Sequence, residues 1–404
     1  MDANHRVWAE IDLDALAHNL AEIRRRAGAS SRVLLVVKAD AYGHGAVVIA
    51  RHAERCGVAG FGVGTGAEAL ELRAAGIRAP ILVLGALIEA EVEPVLRADV
   101  EIALHATDRL RSLEKTCARL GVRAGVHLNV DTGLGRLGVR SERALELLDA
   151  VREARALQLR GAMTHLAAAT GAGCPTATEQ LGRFTRFLSD AGPRLGSAWV
   201  HGLSSSALFH GVQPRFDTIR PGIAAFGMLP RGVPEVESLR PVLSLRSQIV
   251  FLKDVEEGTP IGYGSTWRAP NRTRIATLPI GYDDGLPWRV GSTGRGAHVL
   301  VRGRRVPVVG RVSMDYATID VGSVPGASVG DPVTIVGRDG DELLRVEDLA
   351  QVAGTIPYEV TCSLGKRVAR LVRGGEDVEL PARAPEPGVG RPLPDAAELS
   401  PHGT

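Results

Sequence analysis

Through the first half of the chain, short apolar runs rich in β-branched residues alternate with stretches of helical spacing. The runs are residues 33–38 (VLLVVK), 60–64, 80–85, 101–105, 125–130, 159–165, 199–204 and 218–222. Between them lie segments such as 66–75, closed by Gly76, and 142–156, whose apolar residues recur at helical spacing. Eight buried strands alternating with helices predict an α/β fold, a closed parallel (β/α)8 barrel of the TIM type. A doubly wound open sheet shares this rhythm, but it would carry a glycine-rich first turn, which is absent here. Beyond Leu229 the grammar changes. A linker is expected at 230–236. Short strand-like segments follow at 243–252, 274–278, 297–301, 306–309, 317–321 and 332–336, and helical patterns nearly vanish. The pattern therefore predicts a barrel over residues 1–234 and a C-terminal antiparallel β domain over 235–375. A disordered tail is expected over 376–404, because residues 379–404 hold six prolines and few bulky apolar side chains.

Composition narrows the function classes. A chain of 404 residues suits two domains, and an apolar fraction of 45% supports a sizeable core. A net charge of +2 gives no reason to expect nucleic acid or an anionic membrane surface. No apolar run approaches the roughly 20 residues that span a bilayer, and the first ten residues show no secretory signal. The cysteines Cys56, Cys117, Cys174 and Cys362 are scattered, which reads as reduced thiols in a cytoplasmic protein, with neither disulfides nor a metal site. Of 48 basic residues only four are lysines: Lys38, Lys115, Lys253 and Lys366. Lys115 and Lys253 sit in polar stretches, whereas Lys38 ends an apolar run.

Catalytic groups on such barrels sit at the C-terminal ends of the strands. That rule selects Lys38 after the first strand and Arg136 after the fifth. It also selects His165 after the sixth, Ser204–Ser206 after the seventh, and Arg220 with Gly222 at the eighth. The loops after the seventh and eighth strands commonly bind phosphate in this architecture. Position alone leaves bland alternatives open: a strand-end lysine reaching solvent, a satisfied core histidine, a plain serine turn. Taken together, an amine, two guanidinium groups, an imidazole and a phosphate cradle suit a phosphorylated carbonyl compound. Pyridoxal 5′-phosphate (PLP) fits, since a lysine amine condenses with its aldehyde. Such a lysine ordinarily ionises near about pH 10.4, so Lys38 is expected to be desolvated behind LLVV.

Residues 37–45 (VKADAYGHG) resemble the cofactor-lysine motif of alanine racemases, PLP enzymes of fold type III. Further pieces resemble the same family in order: 130–138 (VDTGLGRLG), 163–165, 219–227 (IRPGIAAFG), 261–266 (IGYGST), 281–285 (GYDDG), 310–315 (GRVSMD) and 354–359 (GTIPYE). The resemblance spans residues 7–373 and implies a homodimer with shared active sites that acts on a small amino acid, interconverting L- and D-alanine for peptidoglycan. It implies that Lys38 holds PLP and is one of two bases, and that Tyr263 from the partner subunit is the other. Arg220 would face the pyridine nitrogen, with His165 linking it towards Tyr263. Arg136 would contact PLP and the substrate carboxylate. Tyr42, Ser205, Gly222, Ile223 and Tyr358 would hold the phosphate. Met314 of the partner subunit would hold the substrate carboxylate through its backbone, and Tyr282 would line the entrance.

The chain departs from the family pattern in places. Asn129 stands where many members have a lysine that becomes carbamylated, so an anion, chloride by expectation, is predicted beside Asn129 and Arg136. Ser204 replaces an asparagine, Phe226 a frequent tyrosine, Leu166 follows His165, and Thr170 stands where an acid is common. These changes bear on substrate preference, and a racemase of broader or different specificity, for serine for example, is the nearest alternative. A non-catalytic PLP carrier would lack the β domain, and a fold-III decarboxylase would carry a cysteine motif absent here.

Overall fold

The computed structural model describes residues 5–28, 30–168, 175–212, 216–230, 232–233, 238–291 and 296–375. Cys174, Thr170, the residues 376–404 expected as a tail and part of the expected linker lie outside them. The chain divides into two compact units. Over the described residues, one comprises Ala27–Val36 and Gly57–Pro221; the other comprises residues 5–26, Val37–Cys56 and residues 222–375.

The first unit contains the complete barrel. Its strands are Arg32–Val36, Gly60–Val63, Ile81–Val83, Glu101–Leu104, Ala124–Asp131, Leu157–Met163, Trp199–Ser204 and Thr218–Arg220. Each pairs in parallel with the next, and the eighth pairs with the first at Thr218↔Arg32 and Ile219↔Val33, closing the ring. Leu34, Leu82, Ala103 and Met163 come from four different strands and form one buried cluster. Closure removes the unpaired edges an open sheet would present. Helices follow the strands and carry ordinary end signals. Thr65 and Glu68 form a capping box at the start of Gly66–Ala74, and Gly121, with φ of 68°, ends Thr107–Leu120.

The second unit is built on a mostly antiparallel sheet. Its order is Arg304–Pro307, His298–Val301, Pro332–Asp339, Leu243–Gln248, Val7–Asp12 and Ala369–Arg373, the last pair parallel. The strand Val7–Asp12 was not picked out by the pattern, because it runs straight into the helix Leu13–Ala27 with no turn residue between. The single strand expected at 243–252 is two, Leu243–Gln248 and Phe251–Val255. The chain changes sheets there. Ile249 donates its N–H to Asp331 O at 2.9 Å, and Val250 donates to Thr277 O at 2.9 Å in the sheet Phe251–Val255, Thr273–Leu278, Ala317–Asp320. Two helices, Val346–Ala353 and Pro357–Cys362, also stand where the sequence pattern predicts almost no helix. Among the described residues no helix is long and apolar enough to cross a membrane.

Candidate active site

The chemistry-bearing residues are divided between the two units. In the barrel unit, Arg220 ends the eighth strand and is 6% exposed. Its Nη1 donates to His201 Nδ1 at 2.7 Å and to His201 O at 2.9 Å; its Nη2 donates to Thr164 O at 2.7 Å and reaches His165 Nδ1 at 3.3 Å. None of these partners is a carboxylate. Burial pushes the guanidinium down to about 10, which still leaves it charged at neutral pH. His165 lies exposed just past the sixth strand, and its carbonyl accepts from Gln180 Nε2 at 3.2 Å. Ser205 is buried and opens the short helix Ser205–Phe209 after the seventh strand.

Arg136 is exposed on the loop that follows the fifth strand. Asp131 shapes that loop, its Oδ1 accepting from Gly133 N at 3.0 Å and Gly135 N at 3.1 Å. Gly138 returns the loop over Asn129: a Cβ there would lie 2.9 Å from Asn129 O and 3.3 Å from its side-chain carbon. Asn129 Nδ2 in turn meets His105 Nδ1 at 3.0 Å. Burial holds the His105 imidazole below its usual range, so it is neutral and accepts this bond.

In the second unit, Lys38 follows the buried Val37 and is itself exposed on the single chain, so the expected desolvation of its amine is not met there. It opens a turn in which Ala39, Asp40, Ala41 and Tyr42 all have left-handed dihedrals, with φ of 53°, 54°, 51° and 56°. Each such non-glycine residue costs roughly 1–2 kcal/mol, so neighbours must hold the turn. Asp40 Oδ1 accepts from Ala46 N at 2.7 Å, and Asp40 O from Gly45 N at 3.0 Å. Arg370 Nε donates to Gly43 O at 3.2 Å. Gly43 abuts the helix Pro357–Cys362 so closely that a Cβ would sit 2.0 Å from Thr361 O.

This turn delivers Tyr42 to a buried position beside Tyr358 and Phe226, with ring centroids 5.7 and 5.3 Å away. Gly222 completes the group: a Cβ on it would fall 2.4 Å from Tyr42 Oη. The missing side chain lets its backbone come close to that phenol, which suits a phosphate cradle. Buried Ile223 follows it. Four of the five residues expected at the phosphate are thus gathered here, which fits the phosphate of PLP. Tyr263, Tyr282 and Met314 are 72%, 45% and 53% exposed. Tyr282 and Met314 lie side by side, since Tyr282 N donates to Ser313 O at 3.0 Å and Asp283 N to Met314 O at 3.2 Å.

Sequence reasoning missed several supporting groups. Arg367 ties the segments bearing Tyr282 and Met314 together through Asp283 at 2.9 Å, Asp284 at 3.2 Å and Asp315 at 2.8 Å. It also missed His127 and His201, each on a barrel strand; alternation puts His201 on the same face as Leu203, a buried position where a histidine needs partners.

Comparison with known proteins agrees with this geometry. Residues 11–230 match the family model for the alanine racemase N-terminal domain, and residues 242–372 that for the C-terminal domain. The chain is 41% identical over 369 residues to the alanine racemase of Syntrophobacter fumaroxidans, covering 91% of this chain and 98% of that one. It is 42% identical over 369 residues to that of Geobacter sulfurreducens, covering 90% and 96%. The crystal structure of the alanine racemase from D-cycloserine-producing Streptomyces lavendulae superposes with a TM-score of 0.86 at 34% identity, covering 92% of this chain and 97% of that chain. That of Bartonella henselae, with covalently bound pyridoxal phosphate, gives a TM-score of 0.79 at 28% identity, covering 91% and 99%.

Proposed function

The chain belongs to the alanine racemase family, PLP-dependent isomerases of amino acids, and on that premise we propose that it interconverts L- and D-alanine with two bases, Lys38 and Tyr263 of the partner subunit. A cytoplasmic setting and supply of D-alanine to peptidoglycan belong to the same proposal. PLP, when bound, supplies a conjugated ring that takes up the electron pair left by the departing α-proton. The residues of this chain do the rest. Racemisation removes a proton from one face of the α-carbon and returns one to the other, so two bases on opposite faces do it most directly. We assign those roles to Lys38 Nζ and to Tyr263 Oη of a second copy.

Tyr42, Gly222, Ile223 and Tyr358 would hold the phosphate, joined by Ser205. Arg136 and Met314 of the partner subunit would hold the substrate carboxylate, and Tyr282 would line the way in. Arg220 would face the ring nitrogen. The observation that carries the reading is this arginine, buried, charged and bonded to His165, with no carboxylate among its partners in the described residues. A fixed cation there disfavours a proton on the ring nitrogen and so weakens the ring as an electron sink. Arg220 would thereby favour racemisation over side reactions such as transamination.

The test is to incubate purified protein with single-enantiomer amino acids. Loss of optical rotation from alanine, without release of ammonia or carbon dioxide, is the expected result. Ammonia or carbon dioxide released, or no change in rotation with any amino acid, would defeat the reading.

A further inference from the structure

Arg220 is a buried cation whose four hydrogen-bond acceptor atoms among the described residues, on His201, Thr164 and His165, carry no negative charge. A buried charge without compensation is costly. Its neighbours, however, lead in a row to a carboxylate. Arg220 Nη1 lies 2.7 Å from His201 Nδ1, His201 Nε2 lies 2.8 Å from His127 Nδ1, and His127 Nε2 lies 2.8 Å from Glu101 Oε2. Both imidazoles are buried, and Glu101 is partly so. The other Glu101 oxygen is 3.7 Å from Arg160, which is half exposed and screened by solvent. All five residues belong to the barrel unit, on its fourth to eighth strands.

The two ends of the row dictate every proton in it. A guanidinium only donates. His201 Nδ1 must therefore accept, which places that ring's proton on Nε2. The Nε2–H donates to His127 Nδ1, which forces the second proton onto His127 Nε2, where the carboxylate receives it. A second proton on either ring would set two donors against each other at 2.7 or 2.8 Å. Burial, then Arg220, then His127 hold the His201 imidazole well below its usual range, in keeping with a neutral ring. The seat is built for the row. Gly161 lies against the His127 ring, and a Cβ there would be 2.2 Å from Nδ1, while Trp199 meets the ring edge-on at 6.5 Å.

We propose that Glu101 is the counter-charge of Arg220, acting through two neutral, Nε2-protonated imidazoles, and that this row orients the guanidinium presented to the cofactor ring. Glu101, His127 and His201 are positioning residues. The inference rests on the reading of Arg220 as the group facing the ring nitrogen.

The protonation pattern is tested without any assay. Nitrogen-15 NMR of the cofactor-loaded, histidine-labelled protein should show His127 and His201 each carrying a single proton, on Nε2, as the hydrogen bonds of the row require. A ring protonated on Nδ1, or on both nitrogens, overturns the proposal even if the protein racemises alanine. Absent racemisation with the expected tautomers would instead defeat the functional reading alone. Glu101→Gln removes the charge but keeps an acceptor; Glu101→Asp keeps the charge. The Gln variant should lose on the order of tenfold in kcat, a loss typical of removing a supporting partner. Its KM should change little, its bound-cofactor absorption should shift, and the Asp variant should recover most of the rate. A Gln variant indistinguishable from wild type, or equal losses in both, overturns the role of the charge. Should the Gln variant fail to fold, the wild-type tautomers decide.

Discussion

At Gly222 the argument reduces to one missing methyl. A Cβ there would lie 2.4 Å from Tyr42 Oη and 3.0 Å from Tyr42 Cζ, so Gly222→Ala must push the phenol aside. Tyr42 is wedged against Phe226 and Tyr358 and has little room to yield. Overpacking of this kind costs roughly 1–3 kcal/mol, and about 1.4 kcal/mol is tenfold in affinity. Titration of apoprotein with PLP should therefore show affinity weakened about tenfold or more; unchanged affinity would remove Gly222 from the cradle. At Arg220 the question is charge. Arg220→Glu places a carboxylate where the cation stood, which favours a proton on the ring nitrogen. The variant should show an absorption band absent from wild type in the presence of alanine and should racemise more slowly. An unchanged spectrum and rate would sink the assignment. At Asn129, one amide hydrogen is engaged with neutral His105 and the other is available. A neutral amide supplies no charge to the loop bearing Arg136, so we expect a halide beside the two. Crystals grown with bromide should show an anomalous peak there; a water molecule in that place would end the idea.

At the scale of elements, the left-handed turn at Lys38 explains why its flanking residues are so constrained. Beyond it, His44 is fully buried, its Nδ1 3.0 Å from Tyr42 O and its ring stacked on Phe226 at 4.4 Å. Burial is the main cause that holds its imidazole down to about 4, against 6.5 in the unfolded chain. The folded state thus binds fewer protons in that window. His44 costs the fold nothing above pH 6.5, and stability is lost as pH falls from there towards about 4. The full loss is about 3 kcal/mol, at 1.36 kcal/mol per unit. His52, His105 and His201 shift in the same direction, so the total slope is steeper. Urea melts at pH 7 and pH 5 should show the fall, and His44→Gln should show a smaller one; equal slopes would refute the account. Much of this architecture was legible in the sequence. The eight barrel strands were, because buried parallel strands read as unbroken apolar runs, and strand 199–204 was placed to the residue. The strand Val7–Asp12 was not legible, since its partners lie at Leu243–Gln248 and Ala369–Arg373, far along the chain. Nor was the turn at Ala39–Tyr42, because nothing in KADAY marks left-handed backbone and only contacts with residues such as Thr361 and Arg370 enforce it. Among the site residues, Lys38, His165 and Arg220 followed from strand ends. Tyr263, Tyr282 and Tyr358 followed only from family resemblance, because they lie in turns or on a short helix without periodicity.

At the scale of the whole molecule, exposed apolar side chains are unevenly distributed. Among the described residues, ten of the eleven large ones left exposed lie at Val250 or later, including Tyr263, Tyr282, Met314 and Tyr316. A contiguous patch of such side chains would mark where another protein binds, and on the proposed reading that protein would be a second copy of the same chain. In a symmetric pair each chain would give Lys38 to one site and Tyr263 to the other. Lys38→Ala and Tyr263→Ala homodimers should then both be inactive, since every site lacks one base. A mixed dimer differs: one of its sites receives both altered residues, and the other receives neither. Random re-pairing of equal amounts makes half the dimers mixed, so about a quarter of the wild-type activity should return. If both bases came from one chain, every site in the mixture would still lack one, and mixing would restore nothing. The measurement is alanine racemisation after subunit exchange, with mixed dimers counted by mass from two differently tagged chains. Well-populated mixed dimers without activity would show that Tyr263 does not complete the site of its neighbour.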